Sequence, residues 1–326
     1  MSVTSRPFRF ALQAFEATSK KEWLDTARSA EDLGYSTLFT TDHYFGPGEI
    51  AASSGHRPVD VAPISAMMAA AAATTELRVG CRVFAVDFHH PVVLAKELAT
   101  IDMLSDGRLE VGIGAGWVAA EYDGLGIPMD RPGIRIERLA EYVELMKEQW
   151  RGEPLDIQGT YVRAHGFAGR PQPVQTPHPP IMIGGGAPRI LRTAGRLADI
   201  VSLNFNNATG ALGSASVASA TLERTEEKIG WIREGAGDRF PEIELEVGAY
   251  FVAVKDDPAD AIAAMANRFG VTPEELMSHP HALLGSVDSI CETLQQRRES
   301  LGISCVTVAQ RSAAEFAPVV ARLAGT

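Results

Sequence analysis

The chain alternates short apolar runs with longer segments in which apolar residues recur at helical spacing. The short runs are rich in β-branched residues and apolar enough to be buried on both faces, which is typical of parallel strands. Helical segments between them predict crossover connections and a parallel sheet. The predicted strands are Phe8–Leu12, Thr37–Thr40, Leu77–Ala85, Leu109–Ile113, Ile181–Ile183, Ile200–Leu203, Leu245–Val254 and Cys305–Val308.

Start and stop signals place helices between these strands. Ser19 with Glu22 predicts the start of the first helix, and Gly34 predicts its end. Thr272 with Glu275 predicts an extra short helix. The other predicted helices are Val61–Thr74, Pro91 to Leu104, Ile134–Trp150, Pro188–Leu197, Leu222–Glu234, Pro258–Phe269, Val287–Ser300 and Glu315–Ala324.

Three stretches interrupt this alternation: Phe45–Asp60, Leu155–Pro180 and Asn206–Ser219. Long irregular loops on a compact scaffold often serve as lids or binding loops. The sequence contains no internal repeat and no linker that would separate two cores. Eight strand-helix units therefore predict an α/β fold, a single (β/α)8 TIM barrel with insertions that spans residues 1–326.

The amino-acid composition limits the kinds of molecule that the protein could bind. The net charge is −11 and no run of like charge occurs, which argues against nucleic acid and anionic membranes as partners. The cysteines Cys81, Cys291 and Cys305 form no metal-type or redox-type pair, which suits a reducing, cytoplasmic location and predicts no metal site. The longest apolar stretch, around Ala66–Ala73, is too short to span a bilayer.

In a barrel of this kind, residues just after the strands gather at the C-terminal face, where barrel active sites lie. Asp42 and His43 follow the second strand, so His43 is a candidate for proton exchange and Asp42 for binding a ring N–H group. The alternative is a buried pair that only locks the loop. His89 and His90 are ambiguous, because His90 precedes the predicted helix and would cap it. For the other five histidines, a solvated or structural role is expected.

Two glycine clusters follow strands. Gly112, Gly114 and Gly116 follow the fourth strand, and Gly184, Gly185 and Gly186 follow the fifth. The second cluster leads into the helix that Pro188 opens, so free amides would meet a phosphate there, with Arg189 nearby. The alternative is a tight turn without a ligand. Neither cluster matches a dinucleotide fingerprint, and P-loop, nucleophile-elbow and H-E-x-x-H motifs do not occur in the sequence.

Trp117, Glu121 and Tyr122 come shortly after the fourth strand. An aromatic side chain at this position would stack on a planar ring or form the wall of a substrate pocket. A place in the core or in an interface is the alternative for Trp117.

Together, these residues resemble the luciferase-like superfamily, and in particular its bacterial branch of coenzyme F420-dependent oxidoreductases. The similarity spans nearly the whole chain. It is carried by Leu38 to His43, His90 to Arg108, Gly112 to Trp117 with Glu121 and Tyr122, Arg131 to Trp150, Pro180 to Gly186, Ala198-Asp199 and Phe316 to Val320.

The resemblance implies a homodimer that binds a deazaflavin at the C-terminal face. It implies Asp42 near the cofactor ring, His43 as acid/base, and a non-proline cis peptide near Cys81-Arg82 that supports the ring. It also implies a phosphate loop at Gly184–Gly186. The candidate catalytic residues are therefore His43, Trp117 and Glu121, and the candidate cofactor-binding residues are Asp42, His43, Cys81, Arg82, Gly114, Ala115, Gly116, Gly184, Gly185, Gly186 and Arg189.

The expected function is hydride transfer between C5 of coenzyme F420 and a small organic substrate, with His43 moving the proton. Relatives that oxidise a sugar phosphate carry a glutamate directly after the fourth-strand glycines, where this chain has Trp117. That particular activity is therefore not expected. One alternative is a monooxygenase of the same fold that uses reduced FMN. A second is a non-catalytic protein that binds a deazaflavin.

Overall fold

A computed structural model describes residues 6–326, apart from the side chain of Phe167. The strands are β1 (Arg9–Gln13), β2 (Thr37–Thr40), β3 (Arg78–Ala85), β4 (Leu109–Gly114), β5 (Pro154–Gln158), β6 (Arg163–Ala168), β7 (Ile181–Gly185), β8 (Ile200–Leu203), β9 (Glu244–Ala249), β10 (Phe251–Val254), β11 (Ala282–Gly285) and β12 (Ile303–Ala309). Eight of them, in the order β1-β12-β9-β8-β7-β4-β3-β2, form a closed barrel whose neighbours all pair in parallel. The predicted (β/α)8 barrel is confirmed.

The α-helices connect successive barrel strands or extend from the loops. They are α1 (Lys20–Asp32), α2 (Glu49–Ser54), α3 (Pro63–Ala73), α4 (Pro91–Leu104), α5 (Ala119–Leu125), α6 (Pro132–Trp150), α7 (Pro188–Leu197), α8 (Ser214–Ala218), α9 (Leu222–Ala236), α10 (Ala259–Phe269), α11 (Pro273–Ser278), α12 (Val287–Leu301) and α13 (Ala313–Leu323). The Ser19 side chain caps α1, but the box expected with Glu22 is incomplete, because the Glu22 carboxylate accepts from the amide of Thr18. The predicted extra helix is α11, where Thr272 and Glu275 form a full capping box. Among the described residues, no helix is both long and apolar enough to cross a membrane.

The predicted strand Leu245–Val254 is wrong as one element, because the chain leaves the barrel at Tyr250. The first half, β9, pairs with β8 and β12, whereas β10 pairs in parallel with β11 outside the barrel. Both halves are largely buried, so the apolar pattern is continuous across the break. The hydrophobic pattern of a segment indicates that it is buried, but it does not indicate which strand it pairs with. One continuous apolar run therefore predicts a single strand, even where the chain changes partners.

The three interrupting stretches also contain regular structure. The segment Phe45–Asp60 includes α2, the segment Leu155–Pro180 includes the antiparallel hairpin of β5 and β6, and the segment Asn206–Ser219 includes α8. The first and third stretches meet, because the amide of Leu212 donates to the carbonyl of Ser54. Gly210 of the third stretch also approaches the backbone of Trp117. These two loops therefore pack against each other beside the C-terminal end of β4.

Candidate active site

The predicted site residues lie at the C-terminal ends of the parallel barrel strands. Asp42 and His43 follow β2, Arg82 lies in β3, and Trp117 follows β4. Gly184 to Gly186 lie at and just after the end of β7. Because all eight barrel strands run in the same direction, the glycine cluster and His43 share one end of the barrel.

His43 and Glu121 form a short hydrogen-bonded pair. Nδ1 of His43 lies 2.6 Å from Oε2 of Glu121, and Oε1 of Glu121 accepts from the backbone amide of Tyr44 at 2.6 Å. Glu121 is buried on α5, while the His43 side chain keeps 12% of its surface exposed. Since a carboxylate accepts, Nδ1 carries the hydrogen and Nε2 is the atom free to exchange a proton with a ligand.

Asp42 forms a second pair, with His89. Its Oδ2 atom accepts from the amide of Ala85 at 2.9 Å and lies 2.8 Å from Nε2 of His89. These contacts join the ends of β2 and β3, so His89 has a partner that its position in the sequence did not reveal. The other oxygen, Oδ1, is buried and has no hydrogen-bond partner among residues 6–326. His90 precedes α4 but forms no side-chain cap.

Aromatic rings surround the His43 imidazole. The ring of Trp117 stands edge-on to His43 with centroids 5.8 Å apart. His56, from the loop after α2, lies 4.6 Å from His43 and also contacts Phe15 and Phe45. Burial, together with the neighbouring His43, lowers the pKa of His56 to about 3. Sequence reasoning missed His56, because its place beside His43 depends on how the loop folds back.

The segment Gly114-Ala115-Gly116 is held by contacts within the chain. A Cβ atom at Gly114 would lie 2.6 Å from Val83, and one at Gly116 would lie 1.8 Å from the Tyr122 hydroxyl. Gly116 also has a φ of +70°, in the region that favours glycine. The guanidinium of Arg135 donates to the carbonyls of Ala115 and Gly116. Internal packing therefore accounts for both glycines, whether or not a ligand lies beside them.

The non-proline cis peptide lies between Arg82 and Val83, one bond later than the expected position near Cys81-Arg82. Cys81 is fully buried in the main hydrophobic core, and its burial raises the pKa of the thiol. The Arg82 side chain crosses the barrel interior, with Nε 3.2 and 3.3 Å from the two oxygens of Glu246. Its other nitrogens donate to side chains of Gln13, Ser202, Asn204 and Tyr250.

The glycine cluster after β7 packs tightly against its neighbours. Cβ atoms at Gly185 and Gly186 would lie 2.5 Å from Ile190 and 2.3 Å from the carbonyl of Phe205. Helix α7 then starts after Ala187 with no side-chain cap, so amides of its first turn remain free for an anion. The guanidinium of Arg189 pairs with Glu137 on α6, so Arg189 already has an acidic partner.

A parallel barrel with a carboxylate–imidazole pair at its C-terminal mouth is an arrangement found in barrel enzymes. A sequence profile of the luciferase-like monooxygenase family matches residues 7–304, and the chain belongs to this family. An uncharacterised protein of Mycobacterium tuberculosis is 33% identical over 184 residues, 53% of this chain and 64% of that protein.

Two other relatives are named for different cofactors. An F420-dependent glucose-6-phosphate dehydrogenase of Microbacterium testaceum is 31% identical over 195 residues, 59% of this chain and 55% of that protein. An FMNH2-dependent dimethylsulfone monooxygenase of Pseudomonas putida is 27% identical over 176 residues, 54% of this chain and 44% of that protein. The matches thus span less than two thirds of these relatives.

Solved structures share the fold over almost the whole chain. The coenzyme F420-dependent tetrahydromethanopterin reductase of Methanopyrus kandleri superposes with a TM-score of 0.73 at 18% identity, covering 97% of this chain and 99% of that one. A monooxygenase of Streptomyces bottropensis superposes with a TM-score of 0.72 at 22% identity, covering 97% of both chains. The family is therefore one of flavin- and deazaflavin-type oxidoreductases and monooxygenases.

Proposed function

We propose that this protein is a coenzyme F420-dependent oxidoreductase that transfers a hydride between the deazaflavin and a small organic substrate. The observation that carries the proposal is the His43–Glu121 pair at the barrel mouth, with Trp117 beside it. Glu121 fixes the orientation of the imidazole and stabilises the charge that His43 gains on taking up a proton. His43 is thus the acid/base, and Glu121 is its positioning residue.

The residues present fit a flat anionic cofactor in two respects. The uncapped first turn of α7 offers amides to a phosphate, with Gly184, Gly185 and Gly186 leading into it. The unpartnered Oδ1 of Asp42 is an acceptor that suits a ring N–H group. When bound, the deazaflavin would supply the hydride chemistry at C5. The chain would contribute orientation, a polar barrel interior with Arg82, and the proton carried by His43.

Glucose 6-phosphate is not the proposed substrate, although several curated relatives are named for it. The position directly after the fourth-strand glycines holds Trp117, whose ring packs against His43. The carboxylate that reaches His43 comes instead from α5, four residues later, and its two oxygens are already used. No acidic side chain is therefore left at the position where those relatives place theirs.

A cofactor titration tests the proposal. The protein is titrated anaerobically with coenzyme F420 and, separately, with FMN, and binding is followed by absorbance. We expect tighter binding of F420, followed by oxidation of reduced F420 when cyclohex-2-en-1-one or another enone or imine is added. Absence of affinity for the deazaflavin would end the proposal.

The alternative of an FMN-dependent monooxygenase has its own support, because a relative is named for that reaction. It predicts tighter FMN binding and oxygen consumption with reduced FMN. A non-catalytic deazaflavin-binding protein predicts tight F420 binding with no acceleration across the whole panel of acceptors. The same titration and mixing experiments therefore separate all three functions.

The proposal includes a homodimer. Val93, Met103 and Leu104 on α4 expose between 41% and 59% of their surface. Val93 and Leu104 are eleven residues apart, which places them on one face of the helix. Exposed apolar side chains on one face favour burial against a partner, here a second copy. Light scattering of the purified protein measures the mass directly, and a monomer at working concentration contradicts this part of the proposal.

A further inference from the structure

His56 lies in a loop that is anchored to the barrel mouth at several points. The amide of Val59 donates to the carbonyl of Phe45, and the amide of Asp60 donates to the carbonyl of Phe15. The carbonyl of Ser54, two residues before His56, accepts from the amide of Leu212 in the segment Asn206–Ser219. The position of His56 is thus fixed by backbone contacts on both sides.

The His56 ring presents one nitrogen as an acceptor. Nδ1 lies 2.7 Å from the carbonyl oxygen of Arg57, and since a carbonyl only accepts, Nδ1 carries the hydrogen. Nε2 forms no hydrogen bond within the part of the chain that the structure describes. Because burial holds the pKa at about 3, the ring is neutral near pH 7 and Nε2 keeps its lone pair.

The two neighbouring imidazoles differ in the hydrogen-bond partner of their Nδ1 atoms. His43 is backed by the carboxylate of Glu121, which stabilises a proton on the ring, whereas His56 is backed by a neutral carbonyl. Their centroids are 4.6 Å apart, and Trp117 contacts both rings. This arrangement separates proton transfer, at His43, from neutral hydrogen-bond acceptance, at His56.

We infer that His56 is a substrate-binding residue that accepts a hydrogen bond from a hydroxyl group on the carbon next to the reacting one. The preferred substrates of this site are then vicinal diols and the corresponding hydroxyketones, whereas the enones of the cofactor test serve as general hydride acceptors. The centroids of the two rings are 4.6 Å apart, and the inference places both Nε2 atoms within reach of hydroxyls on adjacent carbons of one small molecule. This inference rests on the proposed function, since it needs a hydride acceptor at the same mouth.

The reaction balances as a two-electron oxidation. A bound oxidised deazaflavin would accept the hydrogen of the reacting carbon as a hydride, and Nε2 of His43 would take the proton of the hydroxyl on that carbon. The carbon–oxygen single bond becomes a carbonyl. The neighbouring hydroxyl keeps its proton and donates a hydrogen bond to Nε2 of His56. In the reverse direction a hydroxyketone is reduced, with protonated His43 supplying the proton.

Butane-2,3-diol and butan-2-ol form a matched pair of probes that differ by this one hydroxyl. Each is titrated into 15N-histidine-labelled protein with F420 bound, and the imidazole nitrogens are followed by NMR. We expect the diol to shift the Nε2 signal of His56 and to bind about tenfold more tightly than butan-2-ol. Such a ratio is reasonable for a site that hydrogen-bonds a substrate hydroxyl.

Three variants distinguish recognition from packing. His56→Phe keeps an aromatic ring among Phe15 and Phe45 but removes the acceptor, so the two probes should bind equally. His56→Gln restores an acceptor and should recover part of the preference. His165→Phe changes a histidine whose side chain is 76% exposed on the β5–β6 hairpin, and it should leave the ratio unchanged.

Equal binding of the two probes to the unmodified protein overturns the inference, as does a diol preference that survives in His56→Phe. The F420 titration of the same samples separates this failure from the other one. Absence of F420 binding defeats the proposed function together with the inference, whereas F420 binding without diol preference defeats the inference alone.

Discussion

At the N-terminal ends of the strands, Arg9 lies between Glu110 and Glu244 with N–O distances of 2.6 and 2.5 Å, and Arg78 contacts Glu110 at 2.8 Å. At the C-terminal ends, Glu121 holds one nitrogen of His43 and leaves the other free. Both ends bury carboxylates. Of these two clusters, the C-terminal one leaves Nε2 of His43 without a partner among residues 6–326.

The difference follows from the elements that supply the side chains. The N-terminal network is built from residues within β1, β3, β4 and β9, which the barrel holds in fixed register. The C-terminal pairs come from loops and from the short helix α5, where side chains can face a cavity instead of a neighbouring strand. Changes at the first end should therefore alter stability, and changes at the second should alter chemistry.

The largest effect is expected for His43→Ala. Removing a general acid/base lowers the rate of the chemical step by about a thousandfold, within the usual range for such groups. Affinity for F420 should change far less. Stopped-flow oxidation of reduced F420 by cyclohex-2-en-1-one measures the rate, and absorbance titration measures binding. A variant as fast as the parent would remove His43 from the mechanism.

Glu110→Ala tests the opposite end of the barrel. It leaves the guanidinium groups of Arg9 and Arg78 without their shared carboxylate, and breaking a buried ion pair costs about 3 kcal/mol. The free energy of unfolding should fall by this amount in urea titrations, while the folded fraction binds F420 normally. Glu110→Gln, which keeps the shape and one acceptor, should lose less. A loss of F420 affinity with unchanged stability would contradict the assignment of the N-terminal end to stability and of the C-terminal end to chemistry.

A smaller effect is expected for Glu121→Gln. The amide still accepts from the backbone of Tyr44, but it no longer stabilises positive charge on His43. The rate of F420 oxidation should fall by about thirtyfold, between full loss of the base and no effect. The ring orientation should also loosen, visible as a mixture of His43 tautomers in 15N NMR. If the pH profile of the rate is unchanged, Glu121 has only a structural role.

Ala187→Asp probes the anion site at α7. Ala187 occupies the N-cap position with extended backbone angles, so a carboxylate there would cap the helix and stabilise the fold by about 1 kcal/mol. The same carboxylate would repel a phosphate and weaken F420 binding by about tenfold. Ala187→Asn caps without charge and should weaken binding less. Equal affinity in all three proteins would place the phosphate elsewhere.

The smallest effect concerns pH. Burial lowers the pKa of His279 to about 4 and that of His281 well below its usual value, so the folded state binds fewer protons than the unfolded state. Stability is therefore complete above about pH 6.5 and is lost as the pH falls toward 4. Between pH 7 and 5.5 we expect a loss of about 1 kcal/mol per histidine in urea titrations. His279→Gln should reduce that slope, and an unchanged slope would contradict it.

The barrel can be predicted from the amino-acid sequence alone. Runs such as Thr37–Thr40 and Ile200–Leu203 are buried on both faces. Short buried runs that alternate with helical segments are compatible with few architectures other than a parallel sheet. The sequence also places Asp42, His43 and Gly184–Gly186 directly after strands. Because those residues are adjacent in sequence to the strand ends, parallel topology alone brings them to one face.

The hydrogen-bond partners within the site, in contrast, follow from how the loops pack in the folded chain. Glu121 reaches His43 across 78 positions, and Asp42 pairs with His89 instead of its neighbour His43. His56 joins the cluster because its loop is tied to Phe15 and Phe45 by backbone hydrogen bonds. Hydrophobic periodicity describes which residues are buried near their own element. Contacts between loops depend on distances across the barrel mouth, and no local pattern in the chain encodes those distances.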